Sequence, residues 1–233
     1  MLARSLLATA LLSAVFSTPV VAQTIYPLDR AEILAGAKFD LKVEFPDAPM
    51  ASDVKVTVNG KDAAEVFGKR PMIVEWEDGN KLTAYWLRNV SLPKAGKVEI
   101  VASVGGKSQK VGWDVFDTPK GRVAKNVVLF IGDGFSVAHR TAARILSKGL
   151  HQGRYGGELA VDDMPHMALI STAGTDSIVT DSANAMSAYT TGHKTCVNAL
   201  GVYCASNKNN LDHPKVETIG EILKRKTKMA VGV

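Results

Sequence analysis

Two short segments of this chain combine residue types that could carry out hydrolytic chemistry. Asp133 stands between Gly132 and Gly134 after an apolar run, and Ser182 follows Asp181 at the predicted start of a helix. A serine hydroxyl is a weak nucleophile at neutral pH and needs a neighbouring base or a metal ion. The sequence contains no Gly-x-Ser-x-Gly elbow, and no motif pairs Ser182 with a histidine. Metal activation is the remaining route, and Asp133 supplies a candidate ligand.

Each segment also has a simpler interpretation. An aspartate between glycines can merely form a turn and cap the next helix, and Asp181 or Ser182 can merely cap the helix that follows. The chemical interpretation has its own support, because glycines permit a sharp turn and close approach of an ion. The free N–H groups at a helix start also favour an anion such as phosphate. The residues alone leave both interpretations open.

The elements that must position these residues alternate between predicted strands and helices. Residues 126–131 form a continuous apolar run, typical of a parallel strand buried on both faces, and residues 167–173 and 229–233 are further strand candidates. Helices are predicted from Ser136 to about Lys148, from Ser182 to Thr191, and behind Pro214. The alternation predicts an α/β domain over residues 119–233, with a largely parallel sheet that is incomplete in this chain. Asp133 is expected at the carboxyl edge of that sheet, where ligands bind.

Residues 23–118 have the pattern of an all-β domain. Apolar and polar residues alternate from Phe39 to Phe45, as in a strand with one buried face. Asn59-Gly60, Asp78-Gly79 and Gly105-Gly106 separate further short strands. This spacing predicts an immunoglobulin-like sandwich. Such a domain could brace its neighbour, or it could bind a surface or a glycan.

The first 22 residues have the pattern of a signal peptide. Arg4 is their only charge, an apolar core runs from Leu6 to Phe16, and the segment ends in small residues at Ala22. The apolar core is shorter than the roughly 20 residues that span a membrane. We therefore expect a periplasmic or secreted protein. In an oxidising compartment Cys196 and Cys204 could form a local disulfide, or they could remain two thiols in a loop.

Composition excludes some other classes of protein. With 46% hydrophobic and 22% charged residues the chain is an ordinary folded protein. The net charge of +5 is mild and its basic residues are scattered, so no nucleic-acid surface is indicated. The densest basic run, residues 224–228, is interpreted as a solvated helix end. The five histidines are expected at the surface or in turns.

From Lys125 to Val233 the chain resembles the amino-terminal part of the alkaline phosphatase family. The resemblance rests on ordered stretches at residues 126–134, 141–144, 180–185 with 191–195, and 198–202. The family places its nucleophile at the position of Ser182. A serine there favours monoester phosphatases over relatives that use threonine.

The resemblance implies a phosphomonoesterase with two zinc ions and one magnesium ion. Ser182 would attack phosphorus and become a phosphoserine. Asp133 would bridge one zinc ion and the magnesium ion, and Ser182 would contact that same zinc ion. Asp181 would orient an arginine that binds phosphate, without binding metal itself. That arginine and the remaining ligands are expected beyond Val233, so the chain is expected to be truncated and inactive alone.

Two other functions stay open at this level. One is an exported, non-catalytic binding or structural protein, in which residues 23–118 bind a partner. The other is a phosphodiesterase or sulfatase of the same superfamily, which a substrate profile would distinguish. The expected partner is a phosphomonoester substrate, with neither nucleic acid nor stable membrane insertion. A homodimer is possible because homodimers are common in the family.

Overall fold

The structure is a computed structural model that describes residues 23–47, 54–118, 121 and 124–232. The predicted signal peptide, residues 1–22, lies outside the described residues. None of the helices in the described part is both long and apolar enough to cross a membrane. The boundaries predicted for the three domains stay a prediction.

Nine strands in the described residues between 24 and 116 form two sheets, which we call the sandwich. The strands are β1 (Thr24–Tyr26), β2 (Glu32–Leu34), β3 (Lys38–Pro46), β4 (Lys55–Val58), β5 (Lys61–Asp62), β6 (Met72–Glu75), β7 (Leu82–Ser91), β8 (Gly96–Val104) and β9 (Lys107–Phe116). The first sheet has the order β1-β3-β7-β6 and the second β2-β9-β8-β4-β5. The β2–β9 pair is parallel and the other pairs are antiparallel. A short helix, α1 (Ala63–Phe67), lies between β5 and β6.

Side chains from both sheets meet in one apolar core. Leu41, Val43 and Phe45 of β3 are fully enclosed there, and Ile100 and Trp113 face them from the second sheet. Alternate residues of a strand point to opposite faces, so this single set of side chains determines the register of β3. The prediction of an all-β region with two packed sheets is confirmed, and its immunoglobulin-like assignment stays a prediction.

The polar face of β3 differs from the expectation. Asp40, Lys42 and Glu44 were predicted to face solvent, yet they are 4%, 0% and 5% exposed. Residues 206–217 of the carboxy-terminal half cover this face, and their polar groups bond to it. Sequence alternation alone could not reveal this, because a polar face covered by polar partners has the same pattern as a solvated one.

The carboxy-terminal half contains three helices and one small hairpin among its described residues. They are α2 (Val137–Lys148), α3 (Ser182–Thr191), α4 (Ile219–Lys226), β10 (Leu150–His151) and β11 (Arg154–Tyr155). The predicted α2 is confirmed: Ser136 caps its start and Gly149 ends it at φ 76°. Asp162 anchors this helix, because its carboxylate pairs with Arg140 and Arg144.

The predicted parallel sheet is not formed in the described residues of this half. Residues 126–131 and 167–173 are not strands, and neither are the described residues 229–232 of the strand predicted at 229–233. Phe130 is 91% exposed. A strand of this kind is stable only when neighbouring strands satisfy its N–H and C=O groups. No described segment pairs with residues 126–131, and the apolar run is exposed to solvent.

The segment behind Pro214 was predicted as a helix and is instead extended. Val216 pairs with Phe39 of β3, and Lys215 pairs with Val202, both antiparallel. The helix α4 begins only at Ile219, with Thr218 as its cap. Pairing with β3 overrides the helical pattern, because Val216 then lies in the sandwich core. We call residues 201–217 the docking hairpin.

Candidate active site

A tight turn fixes the position of Asp133. The N–H of Phe135 donates to the carbonyl of Gly132 at 3.1 Å, and Gly134 adopts φ 65°, which only glycine adopts readily. A Cβ atom at Gly132 would lie 2.7 Å from the Cβ of Phe135. The two glycines therefore allow the sharp turn that the sequence predicted, although no strand precedes it.

The start of α3 separates the roles of two neighbouring residues. Asp181 is the cap: its Oδ1 accepts from the N–H of Asn184 at 2.9 Å, and Asn184 Oδ1 accepts from the N–H of Asp181 at 3.0 Å. This reciprocal arrangement satisfies two backbone donors. The simpler interpretation, that Asp181 caps the helix, is therefore confirmed. Ser182 becomes the first helical residue, and its hydroxyl is not needed for capping.

The hydroxyl of Ser182 contacts the carboxylate of Asp133. Its Oγ donates to Oδ1 at 3.0 Å and to Oδ2 at 2.9 Å, across 49 positions of sequence. Both side chains are exposed to solvent. Since Ser182 lies in the first turn of α3, the free backbone N–H groups of that turn are close to its hydroxyl. The site thus combines a serine hydroxyl, a carboxylate and backbone N–H groups of the kind that bind anions.

A disulfide-bonded loop holds the other side of Asp181. Its Oδ2 accepts from the N–H of Asn198 at 2.7 Å, and Asn198 has a positive φ of 63°. Cys196 and Cys204 are joined, so the local disulfide that the sequence left open is formed. A second bond links loop and helix, because Gly201 N–H donates to Ser187 Oγ at 3.2 Å.

Sequence reasoning missed Asn198 as a contributor to the site. It contributes through its backbone, which residue type does not reveal. One signal was available: Asn198 lies in a stretch that carried the family resemblance, two residues after Cys196. Asparagine also tolerates positive φ better than most residues, so a tight loop at this position could have been predicted.

Two histidines are more enclosed than expected. His213 lies beside a short 3₁₀ turn, but its side chain is only 2% exposed, and its Nδ1 accepts from the N–H of Ala205 at 3.1 Å. His193 packs against the ring of Tyr203 with centroids 5.1 Å apart. Burial lowers the pKa of His193 from 6.5 to about 4 and also lowers the pKa of His213. The recorded contacts of the two rings are with Ala205, Asn210 and Tyr203, and not with Asp133 or Ser182.

Asp133 and Ser182 could supply part of a metal site. A carboxylate and a serine oxygen are suitable donors for zinc or magnesium. Zinc usually takes four ligands, and the described residues contain no group of three or more acidic, histidine or cysteine side chains placed to hold an ion. The two oxygens therefore fit a metal ion as a partial ligand set.

Comparisons with known proteins point to the same segment. Residues 124–233 match the sequence model of the alkaline phosphatase family. The tissue-nonspecific alkaline phosphatase isozyme of Gallus gallus is 40% identical over 104 residues, which are 44% of this chain and 20% of that protein. The Homo sapiens isozyme is 38% identical over the same shares. An alkaline phosphatase of Gadus morhua is 38% identical over 103 residues, 43% of this chain and 21% of that protein.

The match covers only part of these relatives, because the chain spans about one fifth of their length. Among solved structures, a chimeric titin Z1Z2 functionalized with a KLER exogenous peptide from decorin is 17% identical, with a TM-score of 0.26. That alignment covers 42% of this chain and 94% of the titin chain.

The matched segment contains every residue of the candidate site. The turn that carries Asp133, the helix that begins at Ser182 and the disulfide-bonded loop all lie within residues 124–233. Domains of this family are of the α/β class. Residues 124–233 of this chain are therefore similar in sequence to the alkaline phosphatase family.

Proposed function

We propose that this chain supplies the nucleophile and the first metal ligand of a phosphomonoesterase. The observation that carries the proposal is the contact between Ser182 Oγ and the carboxylate of Asp133, at 2.9 and 3.0 Å. The match of residues 124–233 to the alkaline phosphatase family supports the reaction class. The proposal concerns the whole protein, since the chain spans about one fifth of its relatives.

In the proposed reaction Ser182 forms a covalent bond to phosphorus. As the Oγ–P bond forms, the Ser182 hydroxyl loses its proton to solvent and the bond from phosphorus to the leaving alkoxide breaks. The alkoxide takes up a proton from solvent and leaves as the alcohol. Water then attacks phosphorus, the Oγ–P bond breaks, and inorganic phosphate leaves with the serine restored. The N–H groups at the start of α3 stabilise the negative oxygens of the transferred group. Phosphoryl transfer depends chiefly on such positioning and charge stabilisation.

Asp133 orients the serine oxygen and would share in holding a metal ion. Its carboxylate already accepts the hydrogen bond of the Ser182 hydroxyl. The carboxylate oxygens of Asp133 and the Oγ of Ser182 are therefore close enough to share one metal ion. Two zinc ions and one magnesium ion are the proposed cofactors, with Asp133 and Ser182 among their ligands. When bound, such ions lower the pKa of the coordinated oxygens and neutralise the charge of the transferred group.

Other features of the proposal extend the family analogy. Asp181 would orient an arginine that grips phosphate, in addition to capping α3. The protein would act in the periplasm or outside the cell after removal of residues 1–22. A homodimer is proposed on the same analogy.

The test is the loss of turnover on Ser182→Ala. The complete coding frame that contains residues 1–233 is expressed, and phosphomonoester hydrolysis is measured with zinc and magnesium supplied. We expect hydrolysis and a serine-bound phosphate in the parent protein, and neither in Ser182→Ala. Residues 23–233 alone are expected to be inactive.

The control is Ser147→Ala, which removes an exposed hydroxyl that bonds only to the Ala143 carbonyl of α2. It should leave turnover unchanged. Parent-like rates in Ser182→Ala would refute the assignment. Hydrolysis of diesters or sulfate esters in preference to monoesters would instead favour the phosphodiesterase or sulfatase alternative.

A further inference from the structure

We propose that the sandwich positions the nucleophile. Through the docking hairpin it fixes the disulfide-bonded loop that holds Asp181, and thereby the start of α3. The naming of Ser182 as nucleophile rests on the proposed function. The mechanical connection itself rests only on contacts between described residues.

The first link joins the docking hairpin to β3. The N–H of Asp40 donates to the Lys215 carbonyl at 2.8 Å, and the N–H of Glu217 donates to the Lys38 carbonyl at 2.9 Å. Residues 38–40 lie beyond the part of β3 that pairs with β1, so the hairpin continues the sheet where β1 has ended. Tyr203 and Val216 complete the sandwich core. The hairpin is thus part of the sandwich although it begins at residue 201, far beyond the end of β9 at Phe116.

A buried charge cluster forms the second link. The ammonium of Lys42 is fully enclosed and lies 2.6 Å from Glu44, 2.6 Å from Glu77 and 2.7 Å from Asn207 Oδ1. The Ser206 hydroxyl donates to Glu44 at 2.6 Å. A lysine this deeply buried needs all its partners, and one of them comes from the docking hairpin. Separation of the docking hairpin from the sandwich would therefore either expose the Lys42 ammonium to solvent or leave it buried without one of its partners.

The strained turn that carries Glu77 supports the same link. Trp76 and Asp78 have φ values of 54° and 55°, a region that L residues seldom adopt. Such conformations persist when surrounding contacts require them. Here the Asp78 carboxylate accepts from Asn207 Nδ2 at 3.2 Å and from the N–H of Lys208 at 3.1 Å. The turn is thus shaped to receive the docking hairpin.

The basic end of α4 forms the third link: residues 224–228 are exposed to solvent as predicted, and two of them also bond to the sandwich. Arg225 bonds to Glu217 and to the Gly36 carbonyl at 3.0 Å, and Lys226 bonds to the Ala35 carbonyl at 2.9 Å. Arg225 and Lys226 therefore bind the backbone of the turn between β2 and β3. The docking hairpin and the end of α4, which follows it in sequence, are thereby both bound to the sandwich.

The last link runs from the docking hairpin to the nucleophile. Cys204 lies two residues after Val202, which pairs with Lys215 within the docking hairpin, and its disulfide joins it to Cys196. Between these cysteines, Asn198 donates to Asp181 and Gly201 donates to Ser187. Movement of the hairpin would therefore be transmitted to the first two turns of α3.

The test compares two identical substitutions three residues apart. Asn207→Ala removes a partner of Lys42 and of Asp78, whereas Asn210→Ala removes only a local contact with His213. Backbone amide exchange is measured in residues 23–233 without substrate. We expect Asn207→Ala to speed exchange at Asn198 and Gly201 about tenfold. Asn210→Ala should leave both amides at the parent rate.

Equal exchange at Asn198 and Gly201 in the two variants would overturn the proposal. If Asn207→Ala does not fold, Glu217→Ala replaces it, with Glu221→Ala as its control. Glu217 accepts from the N–H of Lys38 in the sandwich, whereas Glu221 only caps α4. The exchange experiment does not measure turnover, so its result does not depend on whether Ser182 is the nucleophile. Failure of this proposal can therefore be distinguished from failure of the proposed function.

Discussion

At the scale of single residues, the start of α3 shows why two interpretations of one tripeptide need not compete. Asp181 caps the helix through one carboxylate oxygen and holds the loop through the other. Ser182 keeps its hydroxyl for Asp133. Sequence predicted the residues and the helix, because caps and glycine stops follow local rules. It could not predict the contact between Ser182 and Asp133 from spacing, because that contact requires the tertiary fold.

His193 predicts a specific dependence of stability on pH. Burial lowers its pKa to about 4 in the folded chain, whereas the ordinary pKa of histidine, 6.5, applies to the unfolded chain. Between these values the unfolded chain binds a proton that the folded chain does not, so stability falls as pH falls from about 6.5 to 4 and then levels off. His193→Gln should remove up to about 3 kcal/mol of this fall, since one pKa unit corresponds to about 1.4 kcal/mol. Urea unfolding at several pH values measures it.

The exposed His166 provides the control for that measurement. His166→Gln should keep the acid destabilisation of the parent chain, because its side chain is not enclosed on folding. A smaller residual fall is expected even in His193→Gln, since burial also lowers the pKa of His213. If the two variants lose stability equally between pH 6.5 and 4, the burial of His193 does not govern this range.

At the scale of elements, the helices and strands of the carboxy-terminal half were not equally predictable. The ends of α2 and α3 follow from Ser136, Gly149, Asp181 and Gly192, which act within a few residues of each other. The strand predicted at residues 126–131 needs neighbours distant in sequence, and none among the described residues pairs with it. The helix predicted at Pro214 failed for a related reason, because pairing with β3 decides the conformation there.

Removal of the disulfide between Cys196 and Cys204 is expected to lower the stability of the fold. Cys196→Ser combined with Cys204→Ser opens a loop with a sequence separation of 8. The free energy of unfolding should fall by about 2–3 kcal/mol, because the unfolded chain regains conformational freedom. Denaturant unfolding without reductant measures this change. Reductant should lower the stability of the parent chain by the same amount and leave the double variant unaffected; equal stability of both oxidised proteins would contradict the prediction.

At the scale of the whole molecule, Lys42 connects the two halves of the described chain. Its partners Glu44 and Glu77 lie in the sandwich, and Asn207 lies in the docking hairpin. Lys42→Met would leave two buried carboxylates without their cation. The expected cost is about 3–5 kcal/mol, as for other buried ion pairs broken on one side. Lys81→Met breaks the exposed pair with Asp47 and should leave the free energy of unfolding nearly unchanged, because solvent screens this pair.

The way in which Lys42→Met unfolds distinguishes a shared fold from two adjoining domains. All three tryptophans, Trp76, Trp86 and Trp113, lie within the residues of the sandwich, so their fluorescence reports on that half alone. Amide exchange at Tyr203, which bonds to the Pro214 carbonyl, reports on the docking hairpin. If the hairpin completes the sandwich core, both probes should lose the same free energy in Lys42→Met. A loss confined to the tryptophan signal would mean that the hairpin is stable without the sandwich, and the sandwich could not then be what holds Ser182 in place.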